Sequence, residues 1–145
     1  ADIHFEEYLK ALTESLQSSL GGRSHKVEIV TDMDEIVLNA DAAIPCGLII
    51  NEIIMNSFKH AFPEDGEGEV RITVRKNDPA DITMKVSDNG IGMPEGVNFD
   101  RPDSLGLELI KTLAEKQLGG TIELRNANGT EYTITFSELP YRTGE

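Results

Sequence analysis

Residues 43–62, AIPCGLIINEIIMNSFKHAF, constrain the fold more than any other stretch of the chain. Wound as a helix at about 100° per residue, the segment is apolar around most of its circumference, which assigns it to a core. One stripe breaks the pattern. Glu52, Asn56, Lys59 and His60 fall at i, i+4, i+7 and i+8 and share an edge, while Ile50, Ile53, Ile54, Met55, Ser57, Phe58 and Ala61 cover the remainder. A carboxylate, an amide and two basic groups on a buried helix must be paired or must face a polar ligand. Burying even a neutral polar group unpaired costs roughly 2–7 kcal/mol. The stripe is therefore read as one wall of a site.

A chain of 145 residues suits a single domain spanning 1–145, and at that size folding buries roughly 68–70% of the unfolded surface without staples. Cys46, the single cysteine, lies in the apolar helix and is expected to be a small buried hydrophobe, consistent with a reducing compartment. One cysteine and three scattered histidines cannot assemble a zinc site. The apolar run is interrupted by Asn51, Glu52, Asn56 and Lys59, so it is not a membrane span, and ADIHFEEYLK lacks the order of a signal peptide. A cytoplasmic segment with no direct membrane insertion is expected. Because it opens on Ala1 rather than Met, it is expected to be a piece of a longer protein. The formal net charge of −13 argues against nucleic acid or an anionic membrane surface as partner. A phosphate ligand would need positive potential supplied locally, by a metal ion, by Lys59 and His60, or by helix N-termini.

Apolar residues at Phe5, Leu9, Leu12, Leu16 and Leu20 predict a packing helix that ends at Gly21-Gly22. His4 and His25, in polar settings on either side, read as surface histidines. Val27–Thr31 and Ile36–Ala40 read as short strands, with Asp32-Met33-Asp34-Glu35 as the turn between them. The buried helix follows, with Asp41 as N-cap, Pro45 in its first turn and Pro63 at its stop. Val70–Lys76 and Asp81–Asp88 alternate as strands around an Asn77–Ala80 turn, which predicts a sheet with one apolar face and helices on that face only. A Gly-, Pro- and Asp-rich loop leads to a third helix, capped by Asp103 or Ser104 and running to Gly119-Gly120. Asn128-Gly129 between two alternating segments is a strong hairpin signal.

Asp88-Asn89-Gly90-Ile91-Gly92 is either another hairpin turn or a place where glycines let the backbone pass close to a flat or phosphorylated ligand, with Asp88 accepting a hydrogen bond. A loop and a helix follow, not a returning strand, which favours the second reading. Ser104-Leu105-Gly106-Leu107 lies where the loop becomes a helix, and such an end offers free backbone N–H groups to phosphate oxygens.

The order of these motifs resembles the GHKL superfamily with the Bergerat ATP-binding fold, shared by DNA gyrase, mismatch-repair MutL, a heat-shock chaperone and the histidine kinases. NEIIMNSFKHAF resembles the N-box, DNGIGM and SLGLELI the two glycine boxes, and GTEYTITF the closing strand. Within the superfamily the KHAF ending, the short lid and SLGLELIKTLAEKQLGG look most like the catalytic domain of sensor histidine kinases. The resemblance implies an α+β fold, a two-layer sandwich whose mixed, mostly antiparallel sheet is covered on one face by about three helices.

It also implies ATP and Mg²⁺ as ligands. Asn56 would ligate the metal, and Glu52 would orient or deprotonate the phosphoacceptor. Lys59 and His60 would meet the phosphates. Asp88 would accept the adenine amine, Gly90 and Gly92 would admit the purine, and Thr130 would add a second polar contact. Ser104, Leu105, Gly106 and Leu107 would form the phosphate loop. Guanine, with a carbonyl in place of the amine, would oppose two acceptors at a cost of about 1–3 kcal/mol.

Two features depart from the family: Ser104 stands where glycine is common, and the lid has Phe99 as its only phenylalanine, with Arg101 as a solvated or phosphate-reaching cation. The implied partners are an upstream dimerisation and phosphoacceptor helix pair, a second copy of the full-length protein, and a response regulator. An anti-sigma-factor-type serine kinase, a GHKL ATPase and a nucleotide-binding module without turnover stand as alternatives.

Overall fold

Strand alternation and helical apolar stripes meet in two layers. The computed structural model describes residues 2–20, 26–62, 67–77, 80–92, 105–126 and 128–138. The elements are β1 (Asp2–His4), α1 (Phe5–Leu20), β2 (Lys26–Met33), β3 (Val37–Asn39), α2 (Ala40–Asn56), β4 (Glu67–Asn77), β5 (Asp81–Asp88), α3 (Leu105–Thr112), β6 (Thr121–Asn126) and β7 (Thr130–Ser137). Helices α2 and α3 each run on into a single π-helical turn, Ser57–Ala61 and Leu113–Gln117.

Five strands form a mixed sheet in the order β2-β4-β5-β7-β6, in which β2 and β4 are parallel and the other neighbours antiparallel. The inward face carries Val70, Ile72 and Val74 of β4, Ile82, Met84 and Val86 of β5, and Tyr132, Ile134 and Phe136 of β7. These pack in one core with Phe5 and Leu9 of α1, Ile49, Ile50, Ile53 and Ile54 of α2, and Leu107 and Ile110 of α3. Each such side chain contributes about 1.5–3 kcal/mol when fully buried, so one covered face is enough to hold the layers together. The α+β sandwich expected from the sequence is the observed fold. Cys46 sits in this core at 1% exposure, and burial pushes its thiol pKa up, so it acts as an inert hydrophobe.

Three local expectations differ. The side chain of Asn39, not Asp41, caps α2 by accepting the Asp41 N–H at 2.8 Å, so the helix starts earlier and Pro45 falls in its second turn. The strands on either side of Asp32–Glu35 do not pair with each other. β2 joins β4, while β3 joins β1 in a separate two-stranded ribbon. β1 itself is too short to show alternation. The third helix is likewise not α-helical throughout, because Leu118 donates to the carbonyl of Leu113 across a π-type turn. Gly21-Gly22, His25, Pro63 and the loop with Phe99, Arg101, Asp103 and Ser104 lie outside the described residues.

Candidate nucleotide site

The inward phase of β5 that places Ile82, Met84 and Val86 in the core also turns Asp88 onto the helix-covered side, where it is 8% exposed. A carboxylate there needs donors, and three are within reach among the described residues. The backbone N–H groups of Gly90 (3.0 Å) and Thr130 (3.2 Å) donate to Oδ1, and the Ser57 hydroxyl donates to Oδ2 at 2.9 Å. The hairpin between β6 and β7 sets up the second of these bonds. Gly129 sits at φ +121° with its Cα against the backbone of Asp88, where any side chain would collide with the Asp88 carbonyl. The Asn-Gly pair is thus a turn and also the packing surface that brings Thr130 to Asp88.

Asp88 forms part of a cavity of about 790 Å³ whose other walls come from α2, its π-helical extension and the start of α3. Glu52, Asn56, Lys59, His60, Gly92, Gly106, Leu107 and Thr130, all singled out in the sequence, line it as well. Its volume lies within the roughly 300–1,000 Å³ typical of small-molecule sites. Glu52 and Asn56 are half-buried, while Lys59 and His60 are exposed. Basic side chains thus stand at an open edge and the amide and carboxylate deeper in. A π-helical turn at Lys59 and His60 is of the kind often found at functional sites.

Gly106 brings α3 close to the polar edge of α2. A Cβ built on it would lie 3.0 Å from Glu52 Oε2 and 3.8 Å from Asn56 Oδ1. The Asn56 amide oxygen is a donor of the kind a hard divalent cation takes. Among the described residues no group of three or more His, Cys, Asp and Glu could hold a metal unaided. A single amide oxygen fits a magnesium ion that keeps waters and arrives with phosphate oxygens, the usual mode for that ion. A second, shallower trough of about 820 Å³ between α1, β2 and β4 is lined by Glu28, Glu67 and Glu69, with Lys26 as its one cation among the described residues, and is ill suited to an anion.

Two of the residues singled out do not line the cavity. Gly90 packs against α2's extension, where a Cβ would strike the carbonyl of Ala61, and Leu105 is 81% exposed. Ser104 lies outside the described residues. Four further residues also line it, the apolar Ala61 and Ile91 and the hydroxyl-bearing Ser57 and Tyr132. A lone hydroxyl on the greasy side of the helix, next to Asn56, was the available signal for Ser57. For Tyr132 it was the two-residue period from Thr130.

No helix among the described residues is long and apolar enough to cross a membrane. The family model described as histidine kinase-, DNA gyrase B-, and HSP90-like ATPase matches residues 41–143. Sensor histidine kinase PdtaS of Mycobacterium tuberculosis is 34% identical over 101 residues, 68% of this chain and 20% of that protein. The chain thus spans about one fifth of that relative's length. The solved histidine kinase domain of the Erythrobacter litoralis EL346 blue-light activated histidine kinase superposes with a TM-score of 0.83 at 22% identity, over 94% of this chain and 66% of that one. Histidine kinase ThkA, solved in complex with response regulator protein TrrA, superposes with a TM-score of 0.76 at 16% identity, over 98% of this chain and 42% of that one. With the polar edge of α2, the end of β5 and the start of α3 meeting at one cavity in this fold, the chain belongs to the family of histidine kinase-, DNA gyrase B- and HSP90-like ATPases.

Proposed function

We propose that this chain is the ATP-binding catalytic domain of a two-component sensor histidine kinase, which transfers the γ-phosphoryl group of ATP to a histidine on an upstream dimerisation domain. The observation that carries the proposal is the shared cavity. It sets Asp88 of β5 among the walls together with Glu52 and Asn56 of α2 and Gly106 of α3. Asp88 accepts the exocyclic amine of adenine, and Thr130 lies beside it. Lys59 and His60 meet the phosphate chain from the open edge of the cavity. The Asn56 amide oxygen would hold a magnesium ion, which when bound neutralises charge on the phosphates.

In the transfer, a neutral ring nitrogen of the acceptor imidazole attacks the γ-phosphorus. An N–P bond forms, the bond to the β-phosphate oxygen breaks, and ADP leaves with that electron pair. Glu52 accepts a hydrogen bond from the other ring N–H, which aims the attacking lone pair and stabilises the charge that develops on the ring. Positioning and electrostatics carry the catalysis, with no covalent intermediate on this domain. The phosphorylated histidine then serves a response regulator. The sensor histidine kinases among the relatives support this reading.

The test is to incubate the full-length protein with γ-labelled ATP and magnesium. The expected label is protein-bound, acid-labile and base-stable, as a phosphoramidate is. Acid-stable label on serine, or phosphate release with no labelled protein, would instead support the serine kinase or the ATPase.

A further inference from the structure

Ser57 has no part in the transfer described above, yet it is 5% exposed, lines the cavity and donates to Asp88 Oδ2 at 2.9 Å. A serine in a helix can satisfy its hydroxyl on the carbonyl one turn back. Here the hydroxyl is directed instead across to a strand 31 residues away in sequence. An alanine would keep the helix and nearly the same volume, so packing alone does not call for the oxygen.

The acceptor count at Asp88 shows what that oxygen does. An ionised carboxylate has about four acceptor sites, two on each oxygen. Among the described residues, the N–H groups of Gly90 and Thr130 fill both sites of Oδ1, and Ser57 fills one site of Oδ2. One acceptor site on Oδ2 remains for a ligand. Donors on Oδ1 alone would leave the carboxylate free to swing about its anchored oxygen. A donor on Oδ2 as well fixes the plane, and with it the direction of the remaining lone pair.

We propose that Ser57 is a positioning residue for nucleobase selection. By pinning Asp88 Oδ2 it aims the last acceptor site at the exocyclic amine of the purine. The inference rests on the adenine-nucleotide reading above and concerns the same site. Without the hydroxyl, a buried acceptor site opens beside Oδ2. Water or a tilted carboxylate then competes with the amine, so the pocket distinguishes less sharply between purines with and without it.

The test pairs a protein change with a ligand change. Titration calorimetry on the 145-residue chain compares magnesium ATP with magnesium purine riboside triphosphate, which carries hydrogen in place of the amine, for the unmodified protein, Ser57→Ala and Ser57→Thr. The unmodified protein should prefer ATP. Ser57→Ala should reduce that preference by about 3- to 10-fold, the range set by one hydrogen bond, and Ser57→Thr, which keeps the hydroxyl, should restore it to within about 2-fold. A merely structural role would weaken both ligands equally. An unchanged or enlarged preference in Ser57→Ala, or a loss that Ser57→Thr shares, overturns the role of Ser57 alone. An unmodified protein that binds both nucleotides equally, or neither, overturns the adenine reading and this inference with it.

Discussion

Ile91 donates its backbone N–H to the carbonyl of Ala61 at 2.9 Å, which ties the segment after β5 directly to the π-helical end of α2. Gly90, one residue earlier, faces the same carbonyl with no room for a side chain. The two walls of the cavity are therefore held together by backbone, and the glycine is needed for that approach. Gly90→Ala should force the segments apart and cost on the order of 2 kcal/mol, as overpacking does. The melting temperature followed by circular dichroism should fall by roughly 5–10 °C. An unchanged melting temperature would mean that the contact is not tight in solution.

Asp88→Asn tests the adenine contact from the other side. The amide must turn its NH₂ either toward the N–H groups of Gly90 and Thr130 or toward the Ser57 hydroxyl and the ligand, and each arrangement opposes donor to donor. ATP affinity by calorimetry should fall at least about 100-fold, equivalent to ~3 kcal/mol, while the fold is retained. Binding at full strength would refute the assignment.

Glu52→Gln keeps shape and removes charge. In the full-length protein it should leave ATP affinity within about 3-fold, because uniform binding does not depend on that charge, and lower the rate of histidine phosphorylation by about 100-fold or more. Unchanged autophosphorylation would remove Glu52 from the reaction.

The start of α2 supplies a stability test remote from chemistry. Asn39→Ala removes the cap and should cost ~1 kcal/mol, whereas Asp41→Ala loses only a favourable charge near the helix N-terminus, about 0.3–1 kcal/mol. Urea titration of both variants should rank Asn39→Ala as the less stable. The reverse order would restore Asp41 as the cap.

Local pattern made much of this legible. The apolar circumference of residues 43–62 required burial, and its interruption at Glu52, Asn56, Lys59 and His60 marked the edge that now lines the cavity. Alternation through Ile82, Met84 and Val86 carried the right phase for Asp88, and Asn128-Gly129 identified the last hairpin. Each signal depends only on neighbours within a turn or a strand, where backbone period decides which side chains share a face.

Contacts between distant segments were not legible in that way. Burial patterns do not choose strand partners, so the parallel pairing of β2 with β4, and the antiparallel pairing of β3 with β1 rather than β2, came from the packed structure. Ser57 looked like one more small residue on a greasy face until folding set it opposite Asp88. The sequence alone determined which faces are buried, because periodicity is local. Only the tertiary structure decided which donors surround Asp88, because they are supplied by residues two, 31 and 42 positions away.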